Sequence, residues 1–152
     1  MNEPSILSFH HVGVLVRDID TVADRYRTLL PIAAETSGHD LKLGIRWLWL
    51  TLINGPIVEF ISPVGDGPVR KWLENHGEGL HHISFEAVDF DLALQHMHQL
   101  QATVIGLDRD HGGWSEFFLS PGDMGGVLLQ VGRANRDPVP GRRGGDRTDA
   151  NH

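Results

Sequence analysis

Polar and apolar residues alternate along several short segments of the chain, with the two-residue period of a half-buried β-strand. Two such segments span about residues 10–16 and 81–88. After each of them, apolar residues recur at intervals of three and four, which is the period of an amphipathic helix. In the first helix they are Ile19, Val22, Ala23, Tyr26 and Leu30. Three further strand-like segments follow each helix. The pattern therefore predicts the order βαβββ twice, in an α+β fold.

The second half of the chain repeats features of the first half at one spacing. The segment FHHVGVLVRDID starts at Phe9 and the segment LHHISFEAVDFD starts at Leu80, an offset of 71 residues. The same offset aligns the aspartates that would begin the helices, the turn regions NGP and DMGG, and Glu59 with Gln130. Similarity at a fixed spacing indicates a repeated structural unit. We therefore predict two βαβββ modules related by internal duplication, which form a shared cleft.

The predicted modules cover about residues 8–63 and 79–132, and a short helix at about residues 66–76 links them. Together they make one domain over residues 1–132. Residues 133–152 are rich in Gly, Pro and Arg and contain few apolar side chains that could be buried. Because such a composition cannot build a core, we predict that these last residues form a flexible tail.

Composition and charge exclude several classes of protein. The 152 residues carry a formal net charge of −7 and no cysteine, which excludes disulfides, thiolate metal sites and cysteine nucleophiles. The chain has no stripe of basic residues with interleaved aromatics, which argues against nucleic-acid binding. No apolar run approaches the roughly 20 residues of a membrane span, and the first residues do not resemble a signal peptide. We therefore predict a cytoplasmic protein that binds neither nucleic acid nor membrane.

Four residues obey the offset and carry metal-binding chemistry: His11, Glu59, His82 and Gln130. Each copy supplies a histidine on its first strand and a carboxylate or amide on its last strand. Two imidazoles, one carboxylate and one amide oxygen suit a divalent ion such as Co, Mn, Ni or Zn, with positions left open for water or substrate. Taken singly, a strand histidine is more often a hydrogen-bonded core residue, and Gln130 could be a buried amide. The common offset favours the metal site.

Those residues resemble the ligand pattern of the vicinal oxygen chelate superfamily, which has the glyoxalase and bleomycin-resistance fold. Within it, WLENHGEGLHHISFEAVD and LSPGDMGGVLLQV are most similar to the methylmalonyl-CoA epimerase family, and the resemblance covers about residues 9–131. It implies a metal-dependent isomerase or epimerase that moves a proton at a carbon alpha to a carbonyl, through a metal-stabilised enolate. It also implies a small-molecule substrate, such as an acyl-CoA or another anionic carbonyl compound, and a homodimer, which is common in the superfamily.

The chain departs from the family pattern at two places. The family usually has a glutamate where this chain has Gln130, and several members have a glutamine where it has Glu59. The glutamate proposed as the family's base aligns with Lys42, in the segment LKLGI. A lysine accepts a proton only when it is neutral; otherwise Lys42 is an exposed loop residue or binds an anionic substrate group. The resemblance therefore implies Lys42 or Glu59 as the catalytic residue.

Two further residues are candidates for substrate binding. Arg46 has the strand parity of Lys42 and could line the cleft, or it could be an ordinary edge-strand charge. His111, in the segment DRDHGGW, lies in a glycine-rich loop that could close over a ligand or stay exposed to solvent. The alternatives to an epimerase are a glyoxalase-like lyase, a dioxygenase, and a metal-free protein that binds small molecules such as drugs.

Overall fold

A computed structural model of the chain describes residues 6–110 and 112–135. Within these residues, the order of secondary structure confirms the α+β fold and the predicted βαβββ order, found twice with a helix between the two copies. The elements are β1 Ile6–Leu15, α1 Ile19–Leu29, β2 Ile32–Asp40, β3 Ile45–Leu52, β4 Ile57–Pro63, α2 Pro68–His76, β5 Gly79–Ala87, α3 Phe90–Gln99, β6 Val104–Asp108, β7 Trp114–Leu119 and β8 Leu129–Ala134.

The chain divides into two compact units, whose boundaries lie within β1 and β5. The first unit comprises residues 11–81, and the described part of the second comprises residues 6–10, 82–110 and 112–135. In the first unit the strand order is β2-β3-β4-β1, with β1 parallel to β4 and antiparallel pairing elsewhere. In the second unit it is β6-β7-β8-β5, with β5 parallel to β8. The two units therefore share one topology.

The predicted aspartates begin the helices. Asp18 precedes α1, and its carboxylate accepts the backbone N–H groups of Asp20 and Thr21 at 3.0 and 3.2 Å. Asp89 precedes α3 and accepts the backbone N–H of Leu92 at 2.9 Å. Each carboxylate therefore satisfies donors that the first turn of a helix leaves without a partner. Of the helices that the structure describes, none has the length and apolar character needed to cross a bilayer.

In each unit, one face of the sheet packs against a helix and the other face carries the candidate ligands. Helix α1 buries the cluster Val16, Ile19, Ala23, Leu48, Leu50 and Phe60, and α3 buries the cluster Ala87, Phe90, Ala93, Leu94, Phe117, Leu119 and Val131. Because successive strand residues point to opposite faces, the residues between these apolar positions point away from the helix. His11 and Glu59 do so in the first unit, and His82 and Gln130 do so in the second.

The last strand continues beyond the predicted end of the domain. Strand β8 runs to Ala134, two residues past the boundary at residue 132. A hydrogen bond holds this extension in place, because the guanidinium of Arg133 donates to the carbonyl oxygen of Ala87 at 3.0 Å. Residues 136–152, which hold most of the predicted tail, lie outside the described residues.

Candidate metal centre

The first unit holds a buried pair of a histidine and a carboxylate. His11 on β1 and Glu59 on β4 lie on the same sheet face, because the two strands pair in parallel with Gly13 opposite Glu59. The Nε2 atom of His11 lies 3.2 Å from Oε2 of Glu59. The other carboxylate oxygen, Oε1, accepts the indole N–H of Trp49 at 2.8 Å. The two side chains are 0% and 4% exposed. A carboxylate this deeply buried requires such partners, because burial without them is costly.

The second unit holds the matching pair of a histidine and an amide. His82 on β5 and Gln130 on β8 share a sheet face, because Ser84, two residues after His82, pairs with Gln130 across the parallel strands. Both residues are buried. The side-chain Nε2 of Gln130 donates to Oε2 of Glu116 at 2.7 Å. The amide oxygen Oε1, by contrast, has no hydrogen-bond partner among the described residues. A buried acceptor without a partner costs free energy, so this oxygen is suited to bind a ligand.

The donor set fits a divalent cation. The two units bury two imidazoles and one carboxylate, those of His11, His82 and Glu59. To their two imidazoles and one carboxylate, Gln130 would add the amide oxygen Oε1. Nitrogen and oxygen donors in this mixture suit borderline first-row ions. The residues present therefore fit the metal that the sequence predicts, and the oxygen of Gln130 without a partner is the structural observation that supports the fit.

Sequence reasoning missed Glu116 on β7, which is 4% exposed. The offset of 71 aligns Glu116 with Ile45, whereas strand register matches it to Trp47. This difference arises because Glu59 pairs with Trp49, ten residues earlier, and Gln130 pairs with Phe118, twelve residues earlier. The second hairpin is thus two residues longer, which shifts the equivalence on β7. The signal present in the sequence was a lone carboxylate within the apolar strand WSEFFL.

The structure places the other predicted site residues elsewhere. Lys42 lies in the exposed turn after β2. Arg46 could have lined the cleft or been an ordinary edge-strand charge, and its side chain lies on the face covered by α1. There it makes two hydrogen bonds to the carboxylate of Asp20, at 2.7 and 3.0 Å. This ion pair raises the pKa of the Arg46 guanidinium and lowers the pKa of the Asp20 carboxyl. His111 lies outside the described residues.

Comparison with known proteins relates the chain to one superfamily and to one kind of enzyme within it. Residues 10–118 match the family model of the glyoxalase/bleomycin resistance protein/dioxygenase superfamily. The ethylmalonyl-CoA/methylmalonyl-CoA epimerase of Cereibacter sphaeroides is 30% identical over 127 residues, which are 80% of this chain and 94% of that protein. The human mitochondrial methylmalonyl-CoA epimerase is 26% identical over 129 residues, which are 82% of this chain and 73% of that protein.

Solved structures agree with the sequence comparison. A variant of the Streptomyces coelicolor methylmalonyl-CoA epimerase, in complex with 2-nitronate-propionyl-CoA, superposes with a TM-score of 0.77 at 26% identity. The match covers 87% of this chain and all of that chain. A methylmalonyl-CoA epimerase in complex with methylmalonyl-CoA and NH4+ gives a TM-score of 0.76 at 25% identity, covering 86% and 96% of the two chains. The chain therefore belongs to the glyoxalase/bleomycin resistance protein/dioxygenase superfamily, with methylmalonyl-CoA epimerases among its homologues.

Proposed function

We propose that this chain is a metal-dependent epimerase that acts on an acyl-CoA, by proton transfer at the carbon alpha to the thioester carbonyl. The observation that carries the proposal is that each unit buries a pair of candidate donors, His11 with Glu59 and His82 with Gln130, in a chain whose homologues include methylmalonyl-CoA epimerases. Two solved relatives are complexes with 2-nitronate-propionyl-CoA and with methylmalonyl-CoA. An acyl-CoA with an acidic alpha carbon is therefore the proposed substrate class.

In this proposal His11, Glu59, His82 and Gln130 hold one divalent ion, and Co, Mn, Ni and Zn are the candidate metals. When bound, such an ion stabilises the negative charge that develops on the carbonyl oxygen during proton removal. Burial of the histidines and of Glu59 keeps water away from the donor atoms, which strengthens electrostatic interactions with a ligand. A homodimer stays a prediction.

The chain offers two candidates for the proton acceptor, and we propose Glu59. Its carboxylate lies within the buried donor set, where a proton acceptor must be close to the reacting carbon. A proton that Glu59 accepts would change its contacts with His11 and Trp49, because both of these side chains lie against its carboxylate oxygens. Lys42, in its exposed turn, is better suited to contact an anionic group of the substrate. Roles for Arg46 and His111 in substrate binding remain predictions.

The proposal is tested by hydrogen exchange. Purified protein is incubated with Co(II) and methylmalonyl-CoA in D₂O, and loss of the alpha proton is followed by NMR after subtraction of the uncatalysed rate. His82→Ala is expected to abolish the metal-dependent exchange. The matched control is His98→Ala, which removes an exposed histidine on α3 and is expected to leave exchange unchanged.

The outcomes separate the remaining functions. Protein that binds metal without catalysing exchange would contradict the epimerase and favour another metal-dependent reaction of the superfamily, such as a lyase or dioxygenase reaction. Protein that binds no metal would contradict the metal site itself and favour a metal-free protein that binds small molecules.

A further inference from the structure

One buried carboxylate, that of Glu116, has no part in the proposed reaction. Glu116 lies within strand β7, next to the fully buried Phe117, and is itself almost fully buried. An ionised carboxylate in such surroundings persists only when other groups offset its cost. One group in contact with it is the amide Nε2 of Gln130, which donates to Oε2 of Glu116 at 2.7 Å. A buried carboxyl group that contacts a proposed metal ligand requires an explanation beyond packing.

A glutamine amide has two ends of similar size and opposite chemistry. The oxygen can bind a cation, whereas the NH₂ group can only donate hydrogen bonds. An ionised carboxylate only accepts them, so Glu116 selects the orientation in which Nε2 of Gln130 points toward it. The oxygen Oε1 is then the end that has no hydrogen-bond partner within residues 6–110 and 112–135. We propose that Glu116 is a positioning residue that orients the amide of Gln130 so that its oxygen binds the metal ion.

The first unit contains a contact of the opposite polarity. There the candidate ligand is the carboxylate of Glu59, and the neighbouring strand β3 supplies a donor, the indole N–H of Trp49. In the second unit the candidate ligand is an amide, and the neighbouring strand β7 supplies an acceptor, Glu116. Each third strand thus provides the group that matches the ligand on its fourth strand. Hydrogen bonds of this kind orient metal ligands and raise metal affinity.

The charge of Glu116 also suits this role. Two imidazoles and one amide are neutral ligands, so Glu59 alone would leave a bound divalent ion with one positive charge in a buried site. In its ionised form, the carboxylate of Glu116 would partly offset that charge through the amide of Gln130, which it contacts. The orientation of the amide and the compensation of charge both rest on the metal site of the proposed function, because neither has a purpose without a bound cation.

A double-mutant cycle tests the positioning role. Co(II) affinity is measured by calorimetry, and the visible absorption of bound Co(II) reports its coordination, for wild type, E116Q, Q130E and the double variant E116Q/Q130E. A glutamine at position 116 can accept or donate, so it no longer selects one amide orientation. E116Q is therefore expected to weaken Co(II) binding about 10- to 100-fold and to alter the spectrum. The matched control, E74Q, removes an exposed carboxylate on α2 and is expected to change neither.

The double variant distinguishes orientation from simple structural damage. Q130E alone places two buried carboxylates against each other and is expected to lower the melting temperature of the metal-free protein. In E116Q/Q130E the hydrogen bond is reversed, because the new amide at position 116 donates to the new carboxylate at position 130. The double variant is therefore expected to recover most of the affinity that E116Q loses. If E116Q does not fold, E116D, whose shorter carboxylate retracts from the amide, is expected to weaken Co(II) binding in its place.

Failure of this inference is distinct from failure of the proposed reaction. Wild-type affinity and spectrum in E116Q, or no recovery in the double variant, would overturn the positioning role and leave the epimerase proposal intact. Wild-type protein that binds Co(II) without catalysing exchange would remove the epimerase and leave the positioning role. Wild-type protein that binds no Co(II) would remove both.

Discussion

Trp49 and Glu59 are opposite each other on adjacent strands, and the indole N–H of Trp49 donates to the Glu59 carboxylate at 2.8 Å. This is a fully buried hydrogen bond to a charged group, since Trp49 is 1% exposed. Such bonds are stronger than those between neutral groups. The contact orients one carboxylate oxygen toward β3 and leaves the other toward His11. It therefore links the core of the first unit to the candidate metal centre.

Trp49→Phe removes this donor while it keeps an aromatic ring. We expect the free energy of unfolding to fall by about 1–3 kcal/mol, because a buried carboxylate oxygen loses its partner, with a further contribution from the lost ring volume. Urea denaturation of the metal-free protein measures the loss. Trp72→Phe, which shortens a half-buried tryptophan on α2, is the control. Equal losses in the two variants would show that ring volume, and not the hydrogen bond, is responsible.

Glu59→Gln keeps the shape of the side chain and removes its charge. We expect Co(II) affinity to fall at least tenfold, because the proposed site would keep no anionic ligand. Loss of a group that merely hydrogen-bonds to a metal ligand already lowers affinity by about 10- to 100-fold. Exchange of the alpha proton should be lost at saturating Co(II), because the proposed proton acceptor is gone. Calorimetry and NMR report the two effects separately. Retained exchange in metal-loaded E59Q would exclude Glu59 as the base and would make Lys42 the residue to substitute next.

The ion pair between Asp20 and Arg46 predicts a pH-dependent contribution to stability. The hydrogen bond from Arg46 lowers the pKa of Asp20 in the folded state. A carboxyl with a lowered folded pKa stabilises the protein above its unfolded pKa, which is about 3.9 for Asp, and this contribution is lost as the pH falls through the folded pKa. The stability difference between wild type and Asp20→Asn should therefore be largest near neutral pH and shrink below about pH 4. Denaturation at several pH values measures it.

The same pair provides a test of the predicted substrate role of Arg46. If the arginine serves only α1, Arg46→Ala should lower stability as Asp20→Asn does and leave the Michaelis constant for the acyl-CoA unchanged. If it also binds substrate, Arg46→Ala alone should raise the Michaelis constant. Steady-state kinetics of the two variants side by side decide between these outcomes.

Gly132 on β8 pairs with Glu116 on β7. It lies against the ring of Trp114, which precedes Glu116 by two residues. A Cβ atom at position 132 would clash with the indole ring of Trp114. We expect Gly132→Ala to displace that buried ring and to destabilise the protein by about 1–3 kcal/mol. Thermal denaturation measures the loss. Gly122→Ala, where an added Cβ would meet only Ser120 Oγ at 3.9 Å, should be tolerated.

The sequence by itself determined the local structure and much of the candidate site. The two-residue and three-to-four-residue periods predicted the order of strands and helices, because those periods follow from the geometry of each element. Asp18 and Asp89 marked the helix starts for an equally local reason, since a cap acts on amides two or three residues away. The single offset also selected His11, Glu59, His82 and Gln130 for the proposed metal site.

Only the tertiary structure decided which partners these residues have. By strand pairing, Glu116 corresponds to Trp47, whereas the offset of 71 residues aligns it with Ile45. The two differ because the second hairpin is two residues longer than the first. Arg46 faces α1 because Asp20, 26 residues earlier in the chain, holds it there. Strand register and side-chain partners depend on packing between distant segments. The sequence could therefore predict the secondary-structure elements and the candidate ligands, whereas the contacts of those side chains required the folded molecule.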